Sequence, residues 1–249
     1  KQALRTVCAA TPIAVPETNL ATDVDAILER VTDKTRIVFL ANPNNPTGTY
    51  LPEQELRRLH AGLPENVLLL LDGAYAEFVT EDDYEAGEAL VREFSNVVMT
   101  RTFSKIYALA SLRVGWAYAP PEIIDVLDRV RPPFNVSAPP ISAAIAALED
   151  REHTERSRRH NAETLPWFVG EVEALGLHVN PSVANFVIVR FPAETAQNAE
   201  AAYQFLFERG IVTRRVAGYG LPDWVRMSIG TREEMEDVVA ALRAFVGAS

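Results

Sequence analysis

The sequence is poor in several things that would mark a particular kind of protein. It has one cysteine, Cys8, so no internal disulfide can form, and a reducing, cytoplasmic compartment fits that scarcity. No apolar run reaches the roughly 18 residues of a membrane-spanning helix, and no signal-peptide pattern is present. Basic residues are outnumbered, 24 Lys and Arg against 34 Asp and Glu, for a net charge of -10. That balance argues against a nucleic-acid or anionic-membrane surface, both of which need clustered cations. It leaves small anions open to a few local arginines. The histidines, His60, His153, His160 and His178, lack metal-ligand spacing and carry no functional reading of their own. Repeats, low-complexity tracts and Gly/Ser linkers are also absent.

What remains is an ordinary globular composition. With 249 residues, 48% of them hydrophobic, the chain can bury a substantial core as one large domain or as a domain plus a smaller one. It opens at KQALRTVCAA, which reads as the middle of a helix and predicts an upstream portion. Arg36–Ala41, Val67–Asp72, Val97–Arg101 and Val114–Tyr118 read as strands covered on both faces, being rich in Val, Leu and Ile with little polar alternation. Helices are expected over Pro52–Leu63, with Pro near its first turn, and over Ile123–Val130, stopped by Arg131-Pro132-Pro133. This alternation implies βαβ units and a mainly parallel sheet.

The pattern then changes. Ser142–Leu175 reads as one or two long helices, and the charged run DREHTERSRRHN within it is expected to be a solvated face. Strand Phe186–Phe191, helix Ala199–Arg209, strands Ile211–Arg214 and Val225–Ile229, and helix Glu233–Val246 follow. The expected architecture is α/β: a large domain with a mainly parallel sheet over 1–137, then linking helices and a smaller α+β domain over 138–249.

Four features stand at or beyond the C-terminal ends of these strands, the edge where open α/β sheets bind ligands. The turn ANPNNPTGTY holds Asn45 between prolines and a glycine, which is either a plain turn or a means of fixing one amide. Asp72 closes the run VLLLLD, where it is a buried charge needing a cation or a helix N-cap, with Tyr75 three residues on. The stretch TRTFSKIYALASLRVG sets Thr102, Ser104, Lys105 and Arg113 beyond a strand, an anion-binding set that is not a P-loop. Its apolar neighbours favour the neutral amine that a Schiff-base lysine needs. Last, Arg226 in WVRMSIGT either meets a carboxylate or reaches outward to solvent.

NPTG at 45–48, Asp72-x-x-Tyr75, TFSK at 102–105, Arg113 and Arg226 together resemble the class I/II, fold-type-I aminotransferases that depend on pyridoxal 5'-phosphate (PLP). The segments FLANPNNPTGTY, RPPFNVSAPP, ANFVIVRF and VAGYGLPDWVRMSIGT are most similar to those of the histidinol-phosphate aminotransferase family. The resemblance implies that Lys105 joins the cofactor aldehyde and later moves the substrate proton. It implies that Asp72 keeps the pyridine nitrogen protonated, and that Asn45 and Tyr75 bond the ring's phenolic oxygen. Thr102, Ser104 and Arg113 would hold the phosphate, and Arg226 the substrate carboxylate with Arg214 as helper. Asn185 and Arg131 are placed in the substrate site by segment resemblance alone. The implied partners are a small-molecule amino donor, a 2-oxo acid and a second copy in a homodimer. Relatives acting on aromatic amino acids, PLP decarboxylases, and PLP-sensing regulators are the other readings. Family members also carry an earlier portion that supplies a phosphate-gripping glycine loop, an aromatic stacked on the ring and a tyrosine donated across the dimer.

Overall fold

A computed structural model describes residues 10–247; Cys8 and the helix expected at the start lie outside them. The first sheet has the order β1-β2-β3-β4. Strands β1 (Ile37–Ala41), β2 (Leu68–Asp72) and β3 (Val97–Thr102) run parallel, and β4 (Gly115–Tyr118) runs antiparallel at the edge. Register places Ala41, Asp72 and Thr100 side by side. Helices α1 (Val24–Leu28), α2 (Glu53–Ala61) and α3 (Glu88–Glu93) cover one face, where Val24, Ile27, Leu56, Leu59 and Leu90 pack on Leu40, Leu69, Leu71 and Met99. The strands were expected to be covered on both faces, yet the other face of β1 is open, with Ile37 43% and Phe39 54% exposed.

Two helices, α4 (Pro121–Val130) and α5 (Ala138–Glu149), lead to a third, α6 (Arg151–Ala174), so the long helical stretch is broken at Asp150. Asp150 caps α6 by accepting from His153 N at 3.0 Å. A second sheet, antiparallel throughout, has the order β5-β6-β8-β7: β5 (His178–Val179), β6 (Phe186–Arg190), β8 (Trp224–Ser228) and β7 (Arg214–Arg215). Helices α7 (Ala199–Phe207) and α8 (Arg232–Val246) join α6 in enclosing its core around Phe168, Val172, Val187, Val189, Leu206, Val225 and Leu242. A capping box starts α8: Thr231 Oγ1 accepts from Glu234 N at 3.3 Å while Thr231 N donates to Glu234 Oε2 at 2.7 Å.

Two sequence expectations need correction. The strand expected over Ile211–Arg214 is instead the two-residue β7, because the chain turns at Gly210 (φ +79) and the ladder with β8 begins only at Arg214. Arg226 was grouped with the ends of parallel strands, whereas it lies mid-strand in the antiparallel sheet.

Among the described residues no helix is long and apolar enough to cross a membrane. Phe168 is fully buried and Phe134 is 95% exposed. Phe168→Ala is expected to cost about 3–5 kcal/mol through transfer and cavity terms. Phe134→Ala should stay within about 0.5 kcal/mol, and denaturant titration of both variants checks the contrast.

Candidate active site

The turn after β1 spends most of its polar groups on its own fixation. Asn42 is buried and bonds Leu51 twice, donating to its carbonyl at 3.0 Å and accepting from its N–H at 2.8 Å. Asn44 donates to Thr47 Oγ1 at 2.9 Å and to Glu17 at 2.7 Å. The second sheet's approach clamps the turn from outside: Asn180 Nδ2 donates to Thr47 O at 2.9 Å, and Val183 N donates to Gly48 O at 2.9 Å. Gly48 sits at φ +79, and a Cβ there would lie 2.1 Å from Ser182 Oγ, so only glycine fits. Asn45 is the asparagine of this turn turned toward the cleft. Its Oδ1 accepts from Arg226 Nη1 at 2.6 Å, joining residues from the two sheets.

Asp72 is neither the buried charge nor the helix N-cap expected from the sequence. The residue is exposed, its Oδ1 accepts from Ala74 N at 3.1 Å, and the short 3-10 helix Ala76–Phe78 begins after Tyr75 instead. Its pKa is nevertheless raised, because the surrounding protein desolvates it more than the Ala74 N–H, the Lys105 charge and Thr100 relieve it. Behind it, Arg101 and Glu77 form a nearly buried ion pair at 2.7 Å, with side chains 17% and 9% exposed. That pair ties the end of β3 to the turn following Asp72.

Lys105 lies in the irregular segment between β3 and β4. With no crossover helix there, β4 returns antiparallel. Its apolar neighbours do not enclose it: Ile106 is buried, but Ala108 and Ala110 are exposed. The ammonium stands 4.8 Å from the centre of the Tyr75 ring. Tyr75 meets Phe186 edge-on at 5.0 Å, and the Arg226 guanidinium lies 4.9 Å from the Phe186 ring centre. Tyr75, Phe78, Ile106, Ala184 and Phe186 form one apolar cluster that joins the two sheets beneath the cleft. Phe186 read only as strand in the sequence; nothing local distinguishes it, since its role comes from contact with Tyr75.

Thr102, Ser104 and Arg113 gather on one side of Lys105. Ser104 N donates to Thr102 Oγ1 at 3.0 Å, and Arg113 Nη1 reaches Ser104 Oγ at 3.4 Å and Ala110 O at 2.7 Å. Arg113 adopts the left-handed region at φ 53 and is exposed. Arg226 is half-buried, its Nε is buried without a partner, and desolvation lowers its pKa from the ordinary arginine value. Arg214 stands opposite it in register and is exposed. The next residue, Arg215, faces elsewhere: it pairs with Glu200 at 2.9 Å and stacks on Tyr203 at 4.6 Å. Asn185 is half-buried beside β6, its carbonyl accepting from Ile229 N at 2.9 Å. Arg131 is exposed and locally engaged, donating to Asp128 at 2.7 Å and to Asn135 at 3.2 Å. No group of histidine, cysteine or acidic residues fit to hold a metal occurs among the described residues.

An amine, a carboxylate, an amide and a guanidinium thus converge from the carboxyl edge of a parallel sheet and from a second sheet beside it, with hydroxyls and another arginine alongside. Residues 4–242 match the family "Aminotransferase class I and II", and the chain belongs to that family. It is 59% identical over 233 residues to histidinol-phosphate aminotransferase of Rhodospirillum centenum, covering 94% of this chain and 64% of that protein. It is 53% identical over 241 residues to the enzyme of the same name in Paramagnetospirillum magneticum, covering 97% and 66%. The crystal structure of histidinol-phosphate aminotransferase from Sinorhizobium meliloti in complex with pyridoxal-5'-phosphate superposes with a TM-score of 0.86 at 32% identity, covering 95% of this chain and 64% of that one. The chain therefore spans about two thirds of the length of these relatives.

The raised pKa of Asp72 makes a pH-dependent statement about the protein alone. An acid whose folded pKa lies above its ordinary value of 3.8 contributes stability that is complete below that value and is lost as pH rises through the folded pKa. Asp72→Asn is therefore expected to raise the thermal midpoint near neutral pH, with the gain vanishing below pH 3.8. Melting curves at the two pH values check it; an equal or lower midpoint near neutrality would contradict the desolvation argument.

Proposed function

We propose that the protein is a PLP-dependent aminotransferase that carries the amino group of histidinol phosphate to 2-oxoglutarate, giving imidazole-acetol phosphate and glutamate. The observation that carries this reading is the convergence of Lys105, Asp72, Tyr75, Asn45 and Arg226 from two sheets on one cleft. The donor set fits the cofactor. Thr102, Ser104 and Arg113 offer two hydroxyls and a guanidinium to its phosphate. The desolvated Asp72 carboxyl gains from a cation at the pyridine nitrogen, and Tyr75 and Asn45 offer donors to the phenolic oxygen.

When bound, PLP supplies an aldehyde that takes up the amino group and a ring that accepts the electron pair released at the substrate's α-carbon. This chain's residues do the rest. Lys105 would hold the cofactor through its amine, and that amine, once freed, would carry the proton taken from the substrate's α-carbon. Asp72 would pair with the ring nitrogen and favour its protonated form, which suits the ring to accept electrons. Arg226 clamps the carboxylate of glutamate or 2-oxoglutarate and meets the phosphate end of the alternate substrate, with Arg214 adding charge from the neighbouring strand. Asn185 and Arg131 complete the substrate-binding set in this reading. Residues 1–137 form the PLP-binding domain and 138–249 the linking helices and small domain. The protein works as a cytoplasmic homodimer, and the exposed Val130, Ile141 and Ile145 are apolar surface that a second subunit would cover.

An amino-donor screen against 2-oxoglutarate tests the reading: histidinol phosphate should give the highest kcat/KM, and a preference for phenylalanine would replace it with an aromatic-amino-acid specificity. Arg226→Ala is expected to lower kcat/KM for 2-oxoglutarate about 10- to 100-fold, the loss of a charge-assisted bidentate contact.

A further inference from the structure

The N-terminal half of α6 turns a polar stripe inward. The run DREHTERSRRHN is expected from its charges to be a solvated face, yet His153 and His160 are half-buried, and Asn161 and the nearby Thr164 are buried. These positions share one helix face, which becomes apolar further along at Phe168 and Val172. Three of the side chains end on backbone carbonyls of three separate segments. His153 Nε2 lies 3.2 Å from the carbonyl of Ile106, the residue after Lys105. His160 Nε2 lies 2.7 Å from the carbonyl of Gly230, two residues beyond the strand that carries Arg226. Asn161 Nδ2 lies 3.2 Å from the carbonyl of Ala184, which precedes Asn185 and Phe186.

A carbonyl has no proton to offer, so each side-chain nitrogen is the donor. None of the three carbonyls accepts a backbone N–H among the described residues, so these side chains are their partners. Asn161 Oδ1 is itself buried without a partner, which a helix face serving packing alone would avoid by using leucine. The Lys105 segment needs an outside anchor. It has no regular structure, Ala108 sits at φ 58, and its own backbone bonds are few, Ala108 N to Lys105 O and Leu109 N to Phe103 O, both at 2.9 Å. Lys105 and Arg226 come from different sheets, and α6 reaches a segment that follows a strand of each. Two helical turns separate His153 from His160, about 10 Å along the axis.

We propose that this stripe is a positioning device: His153, His160 and Asn161 hold the Lys105 segment in register with the strand carrying Arg226. The inference rests on the PLP reading of that site for its purpose, but not for its geometry. His153→Ala and His153→Gln in the full chain test it, because glutamine keeps an N–H donor at comparable reach. Amide hydrogen exchange is measured without and with PLP, together with the pH midpoint of the visible band of bound PLP. In His153→Ala, amides over 105–109 should exchange about fivefold faster, as expected for one lost hydrogen bond, while β1 and β2 stay unchanged. The visible band's midpoint should shift in the same variant, and His153→Gln should restore both. Unchanged exchange in His153→Ala would overturn the proposal, as would a glutamine variant no better than alanine. Absence of any visible band in the unmodified chain would instead overturn the PLP reading, with the exchange result still deciding the positioning claim.

Discussion

The site depends on keeping unlike charges close without letting them neutralise one another. Asp72 and Lys105 lie near enough for the amine to ease the carboxylate's desolvation, yet they form no ion pair. A direct pair would leave neither group free for a ligand. Separation is achieved by backbone placement. Asp72 is fixed at the end of β2 by the ladder to β3 and by the Ala74 N–H, while Lys105 stands over the Tyr75 ring. Arg226 obeys the same rule: an amide oxygen of Asn45, not a carboxylate, receives its guanidinium, and one of its donors stays unpaired.

Such an arrangement needs two sheets held in fixed relation. The apolar cluster of Tyr75, Phe78, Ile106, Ala184 and Phe186 joins them beneath the cleft, and the turn around Gly48 is bonded from both sides above it. The long helix α6 adds a third tie through its histidines and Asn161. Each tie ends within one to four residues of a proposed site residue. The connections between the sheets are thus also the connections that place the chemistry.

Much of this was legible in the sequence because it is local. Apolar runs gave three parallel strands nearly to the residue, and Asn45, Asp72 and Lys105 follow their carboxyl ends as motif spacing implied. What escaped depends on contacts between distant segments. Phe186 looks like any strand aromatic until Tyr75 meets it. Arg214 and Arg215 look equivalent until strand alternation sends the second to Glu200. The charged run in α6 reads as a solvated face because mixed charge usually is one, and its inward histidines show only when Ile106 and Gly230 are in place. Asp72 misled for the opposite reason: five preceding apolar residues suggested burial, while the end of a strand lies open to the cleft.

The central claim is that one amine, that of Lys105, is built to hold an aldehyde-bearing cofactor. The chain has only three lysines, Lys1, Lys34 and Lys105, which makes the claim simple to test. The protein is loaded with PLP, reduced with borohydride, digested and mapped by mass spectrometry. The expected result is a single reduced adduct on the peptide carrying Lys105; an adduct on Lys34 instead, or none at all, would contradict the account.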